Sequence, residues 1–377
     1  MVQALYPGVY VEEVQAGARP IAPLPTAVTA FVGYTLKGVA NTPLPVLSYH
    51  DFAELFGERQ PVTALAFAVQ QFFANGGSHA VVVRVASAGN AQQLIDDGLA
   101  ALHGNDFNLL VIPETYDMVG GAEAAVIAAG VALCEAQQAF YIVDAPAHCN
   151  LDSIAPWAHG ISQSRNAATY FPAVRVINPS DDSVRTVAPS GTLAGIYART
   201  DAERGIWKAP AGEGADLRGV VDLALALNDM QNGQINPQAV NVLRSFAPFG
   251  RVVWGSRTLR GSDAQADEYK YIPVRRLALF LERSLARGTE WAVFEANDEP
   301  LWAQLRLAVQ AFMHELFRQG AFEGKEPREA YFVKCDGETT TALDRQQGLV
   351  NLLVGFAPLK PAEFVLLRIQ QRTLADT

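Results

Sequence analysis

Three cysteines in 377 residues are too few and too widely spaced to build a disulfide framework. Cys134, Cys149 and Cys335 leave at least one thiol unpaired in any monomer, which points to reduced thiols in a cytoplasmic protein. Long apolar runs are also missing. No stretch approaches the roughly 20 residues of a membrane helix, so no direct membrane insertion is expected. Met1-Val2-Gln3-Ala4-Leu5-Tyr6-Pro7-Gly8 has neither the basic region nor the long apolar core of an export signal, so none is expected. A dense basic run is absent as well. With 29 basic residues against 39 acidic ones the formal charge is −10, a poor balance for holding nucleic acid. That charge favours a partner surface that carries positive groups.

Familiar chemical motifs are equally scarce. No Cys-x-x-Cys or His-Glu-x-x-His marks a metal site, and no Gly-x-x-x-x-Gly-Lys-Ser/Thr loop marks a phosphate site. Gly212-Glu213-Gly214-Ala215-Asp216-Leu217 matches only the first two glycines of a dinucleotide fingerprint and follows no clear strand. Neither a metal nor a cofactor is expected. One arrangement keeps an enzyme open. Asp144 ends an apolar strand, with His148, Cys149, His159 and Ser164 downstream. Doubly wound enzymes place reactive groups at the carboxyl ends of parallel strands. A serine or cysteine nucleophile there would need a base within hydrogen-bond reach and an oxyanion site. No Gly-x-Ser-x-Gly elbow surrounds any serine.

What the chain does have is ordered, globular composition, with 50% hydrophobic and 18% charged residues and length enough for two domains. Apolar, β-branched stretches predict strands over 26–34, 80–85, 107–113, 139–144 and 170–177. Helical spacing predicts helices over 51–56, 65–73, 122–138, 154–164 and 193–203. Strands alternating with helices imply an α/β class with a largely parallel sheet and helices on its faces. Residues 220–227 are apolar without a clear period, and 231–238 read as a loop.

The stretch from Gly250 to Gly337 reads as a compact core of its own. A strand over 251–254 precedes a helix with Pro273 in its first turn, where the missing N–H costs nothing. Val274, Leu277, Ala278, Leu281 and Leu285 recur at helical spacing, and Gly288 ends the run. Residues 291–295 read as a strand. Asn297-Asp298-Glu299-Pro300 then opens a helix with Leu301, Leu305, Ala308, Val309, Phe312 and Leu316 on one face, and Gly320 closes it. A strand over 331–335 follows.

The two chain ends differ from everything between them. Val9, Tyr10, Val11, Glu12 and Val14 form one strand between Pro7-Gly8 and Gly17, without a hairpin partner. At the other end, 349–356 and 364–369 read as strands separated by Pro358 and Pro361, the second carrying Phe364, Val365, Leu366, Leu367 and Ile369. A lone strand must pair somewhere, because its backbone groups need partners. It can join its own sheet or another chain by strand addition. A heterologous exchange that does not close gives an open helical polymer.

These segments together resemble the tail sheath proteins of contractile phage tails and related contractile injection systems. The likeness runs through Pro7-Gly8-Val9-Tyr10-Val11-Glu12-Glu13, Thr26-Ala27-Val28-Thr29-Ala30-Phe31-Val32-Gly33 and Phe72-Phe73-Ala74-Asn75-Gly76-Gly77. It continues in Arg204-Gly205-Ile206-Trp207-Lys208-Ala209-Pro210, Glu290-Trp291-Ala292-Val293-Phe294-Glu295, Asn297-Asp298-Glu299-Pro300-Leu301-Trp302 and Tyr331-Phe332-Val333-Lys334-Cys335-Asp336. Each segment alone is weak, and their order makes the likeness specific.

The resemblance implies a helical homo-polymer around an inner tube protein, bounded by baseplate and terminal cap proteins. It implies an inner α+β domain formed by both chain ends, with an outer α/β domain inserted between them. On this chain that gives an N-terminal strand arm at 1–20, an outer domain at 21–245, an inner sheath domain at 246–357 and a C-terminal strand arm at 358–377. Arms of neighbouring copies complete the inner sheet, and contraction proceeds by rigid-body rotation without a nucleotide. A cationic helix face, Arg275, Arg276, Arg283 and Arg287, is the expected contact to an acidic tube. The alternatives are a non-contractile particle component and an α/β hydrolase-like enzyme.

Overall fold

The structure, a computed structural model, describes residues 19–363. The chain forms two compact units. The large one holds Pro25–Leu279 and 359–363, and the small one holds 19–24 and Phe280–Pro358.

In the large unit the strands follow one another as β1 (Thr29–Tyr34), β2 (Leu44–Val46), β3 (Ala80–Val85), β4 (Leu109–Val111), β5 (Phe140–Asp144) and β6 (Ala167–Phe171). Then come β7 (Val174–Ile177), β8 (Val184–Val187), β9 (Val220–Leu223), β10 (Val240–Phe246) and β11 (Gly250–Trp254). Eight of them make one sheet in the order β11-β10-β6-β5-β4-β1-β3-β2. Every pair from β10 through β3 is parallel, and only the outermost strands, β11 and β2, run antiparallel.

Side chains alternate across this sheet with the period of two that a pleated strand imposes. Phe31, Leu109, Val111, Phe140 and Ile142 face one core, and Ala30, Val32, Leu110, Tyr141 and Val143 face the other. Both faces are covered, which is why these strands read as unbroken apolar runs. The first core is roofed by α2 (Ala64–Ala74), which follows α1 (Tyr49–Phe56). Thr63 caps α2 by accepting the Ala66 N–H at 3.2 Å. The second core is roofed by a stretch that opens as α3 (Ala91–Gln93), and by α4 (Ala122–Ala136) and α5 (Ile154–Ile161). Helix α6 (Ser190–Arg204) packs back on α2 so closely that a Cβ on Gly191 would fall 2.3 Å from the Ala68 carbonyl oxygen. Only glycine admits that approach.

Several expectations need correction here. The strand expected over 170–177 is two strands in different sheets: β6 pairs β5 and β10, while β7 pairs β8 and β9. Pro172, which has no N–H to donate, separates them. Residues 231–238 are not a loop. They lie in α7 (Asp229–Ile235) and a following helical turn, started by a capping box between Asn228 and Gln231. The division expected at 245 falls instead between Leu279 and Phe280. Strand β11 belongs to the large sheet because it forms an antiparallel hairpin with β10, with Leu243 opposite Val253. Residues 359–363, expected in the C-terminal arm, belong to the large unit. The apolar stripe of α8 (Ile272–Gly288) matches its spacing, and the unit boundary falls inside this helix.

In the small unit α9 (Glu299–Arg318) starts at Asp298, whose carboxylate accepts the Leu301 N–H at 3.3 Å. Leu301, Trp302 and Leu305 pack on Cys335. Helix α10 (Pro327–Ala330) leads into β12 (Tyr331–Lys334). Helix α11 (Ala342–Gln346) leads into β13 (Leu353–Phe356), and β12 and β13 form an antiparallel sheet of two strands. The strand expected over 291–295 is absent. Local bonds from Ala292 N–H to Thr289 and from Val293 N–H to Glu290 wind it into a turn, and Phe294 sits at φ +70°.

Candidate assembly site

The enzyme-like residues are not brought together. Asp144 closes β5 at its carboxyl end and is buried. Its carboxylate accepts the Ser190 N–H at 3.0 Å and the Ser190 hydroxyl, so it ties β5 to the first turn of α6. Burial raises its pKa to about 7, against the pull of those two bonds. His148 and His159 are exposed, and the His159 ring meets Gln163. Ser164 precedes β6, at the opposite end of the sheet from Asp144, and its hydroxyl donates to Glu135 at 2.5 Å. Burial pushes the Cys149 thiol up, which lowers its thiolate content.

Strand order reverses between β1 and β4, the place where open α/β sheets leave a ligand crevice. Glu114 occupies that position. It accepts N–H groups from Tyr34, at the end of β1, and from Gly89 at 2.7 Å. Burial raises its pKa despite both bonds. Sequence reasoning missed this plug, because Glu114 bonds a backbone 80 residues away. Among the described residues no cluster of His, Cys, Asp and Glu is arranged to hold a metal, and no helix is long and apolar enough to cross a membrane. The three cysteines are free thiols.

The chain-end segments present a different picture. The expected arm residues Val9, Tyr10, Val11, Glu12, Val14, Phe364, Val365, Leu366, Leu367 and Ile369 lie outside the described residues. Their described neighbours are tied down. In the small unit Arg19 stacks over Trp291 at 4.6 Å, the Leu24 N–H reaches the Ser284 hydroxyl at 3.3 Å, and Ile21 is buried against Gly288.

At the other end, Glu363 meets a fully buried arginine in the large unit. Arg257 Nε and Nη2 each lie 2.7 Å from a Glu363 oxygen, and Nη1 lies 3.0 Å from Asp263. The Tyr271 hydroxyl donates to Glu363 at 3.1 Å, and Lys270 bonds Asp263 at 2.6 Å. Burial alone would lower the Arg257 pKa, but the Glu363 and Asp263 carboxylates outweigh it and raise it. Nothing in the sequence pairs positions 106 residues apart, so this cluster was invisible there.

Of the four expected tube-contact arginines, Arg276 is excluded by burial. Its guanidinium forms a fork with Asp201 at 2.6 and 2.9 Å, bonds the Thr26 carbonyl at 3.0 Å and lies over the Tyr197 ring. Arg275 is half-buried, donates to Asn166 at 2.8 Å and stacks on Tyr269. Arg283 is half-buried and Arg287 is exposed.

The β12–β13 sheet is the open feature. Each of its strands pairs only with the other among the described residues. Phe332 on β12 is 54% exposed and Leu353 on β13 is 52% exposed. A two-stranded sheet is marginal by itself, and unpaired edges accept further strands. By contrast, the β11 edge of the large sheet is covered by its own chain, with the Leu217 N–H bonded to Arg251 at 2.9 Å.

Comparison with known proteins points one way. A model of the phage tail sheath protein central domain matches residues 88–259, and a model of the phage tail sheath C-terminal domain matches 264–372. A putative prophage major tail sheath protein of Pseudomonas aeruginosa (strain UCBPP-PA14) is 25% identical over 388 residues, 96% of this chain and 95% of that protein. The PVC sheath of an extracellular contractile injection system, solved in its contracted state, is similar with a TM-score of 0.81 and 29% identity over 99% of both chains. The helical sheath of the anti-feeding prophage, also contracted, gives 0.79 and 31% identity over 98% of this chain and all of that one.

Proposed function

The chain belongs to the phage tail sheath family, and from that premise we propose that it is the repeating subunit of a contractile sheath held together by exchanged strands. Copies polymerise helically around an inner tube protein, between a baseplate and a terminal cap. Contraction drives the tube out. The small unit serves as the inner sheath domain.

The observation that carries the strand-exchange reading is the open β12–β13 sheet. Main-chain hydrogen bonds from a neighbour's strand satisfy an edge without demanding a particular sequence. Strands from two neighbours would complete both edges and link each copy to the next. A contact between unlike surfaces of identical chains propagates as a helix unless its rotation closes.

Mechanical work then comes from repacking, as rigid subunits turn about their connections. Catalysis has no part in this reading. Asp144 is spent on fastening β5 to α6, which weakens the hydrolase alternative built on it. Arg283 and Arg287, with Arg275 beside them in sequence, remain the proposed contact to an acidic tube. Arg276 does not, because its charge is used internally. Synthesis in a bacterial cytoplasm fits the free thiols.

Electron microscopy of the purified protein, with and without tube, tests the reading. Helical cylinders are expected. A protein that stays monomeric at high concentration under every assembly condition contradicts it.

A further inference from the structure

We propose that Arg257 is the positioning residue for the C-terminal arm: its clamp on Glu363 fixes the chain at the arm's root. The inference rests on the strand-exchange reading above. Arg257 itself is held at both ends. Its N–H donates to the Asn241 amide oxygen at 2.7 Å, and its carbonyl accepts the Asn241 amide nitrogen at 2.7 Å. Asn241 belongs to β10 and also bonds the Thr169 carbonyl of β6 at 3.1 Å, so the arginine is bolted to two neighbouring strands of the large sheet.

At its other end the guanidinium uses every nitrogen. Nε and Nη2 take the two Glu363 oxygens in parallel, and Nη1 takes Asp263 and the Gly261 carbonyl. A bidentate fork of this kind fixes direction as well as distance. Two cations, Arg257 and Lys270, face two carboxylates, Asp263 and Glu363, so the cluster is balanced.

The chain between the small unit and the clamp has nothing comparable. Residues 359–363 form no helix or strand. Released at Glu363, those five residues would leave the arm's root on a tether of at most roughly 17 Å, at about 3.3–3.6 Å per residue, in place of a fixed point. An arm on that tether no longer transmits the rotation of one copy to the next. The clamp therefore keeps contraction concerted by holding the arm's root in place.

The test uses the full-length chain and leaves Arg257 intact, since its loss threatens the fold. A nitroxide on Ala362→Cys, in a Cys149→Ser background with Cys134 and Cys335 buried, reads the clamp directly. Wild-type Glu363 is expected to give an immobilised spectrum, Glu363→Ala a mobile one, and Glu363→Asp an immobilised one. Assembled Glu363→Ala particles are expected to form cylinders but to contract partially and unevenly after a mild urea step. Glu363→Asp should restore complete contraction. An immobile label in Glu363→Ala overturns the proposal, and so does a mobile label with complete, uniform contraction. The label reports on the monomer, so absence of wild-type cylinders would sink the sheath reading without touching the clamp measurement.

Discussion

The two units of this chain solve the same problem to different degrees. The large unit buries both faces of its sheet, covers its β11 edge with residues 212–217 and uses its buried charges internally, as with Arg276 and Asp201. The small unit leaves Phe332, Leu353, Val293 and Phe294 in solvent and ends in a sheet of two strands. The difference lies in the sheets: eight strands with both faces covered in one unit, and two strands paired only with each other among the described residues in the other. Fold stability should therefore be governed by the large unit, and assembly by the small unit and the arms.

The largest effect should come from removing residues 1–16. Polymerisation is expected to disappear while the monomer's cooperative unfolding is retained, as read by sedimentation and circular dichroism. Full-length cylinders from the truncated protein would erase the contrast. Next is Arg276→Ala, which leaves Asp201 buried without its partner. A loss of about 3–5 kcal/mol is expected by chemical denaturation. Gly191→Ala, which forces a Cβ onto the Ala68 backbone, should cost about 1–3 kcal/mol by the same measurement.

Asp144 gives a pH-dependent effect. Its folded pKa of about 7 lies above the ordinary 3.8, so the folded state keeps a proton that the unfolded chain has released. Its contribution is fully present below about pH 4 and falls as pH rises towards 7, by at most about 1.4 kcal/mol per pH unit. The variant Asp144→Asn should lose that component, so urea titrations from pH 4 to 8 should show a flatter difference curve. Least visible in the monomer is Phe294→Ser. At 103% exposure it has no packing to lose, and an unfolding midpoint shift within error is expected. Any defect should appear only in cylinder formation. Charge reversal at Arg283 and Arg287 should weaken tube binding, and unchanged tube capture would remove those residues from the contact.

Most of the large unit was legible because its signals are local. Apolar runs gave β1, β3, β4 and β5, and in the small unit the Asp298 cap marked a helix start. The errors fell where long-range pairing decides. Strand β11 follows its hairpin with β10, and β6 and β7 part at Pro172 into separate sheets. Residues 291–295 are apolar enough for a strand, but their N–H groups find carbonyls three residues back instead. Of the functional residues, the family likeness came from ordered segments spread along the chain. The Arg257–Glu363 clamp and the Glu114 plug came only from coordinates, because each joins residues with no pattern between them.

Tracing the backbone around β12 and β13 in a cryo-EM map of the assembled particle tests the central claim most directly. The account predicts strands from neighbouring copies hydrogen-bonded along those edges. Edges left bare, or filled by the same chain's own ends, would contradict it.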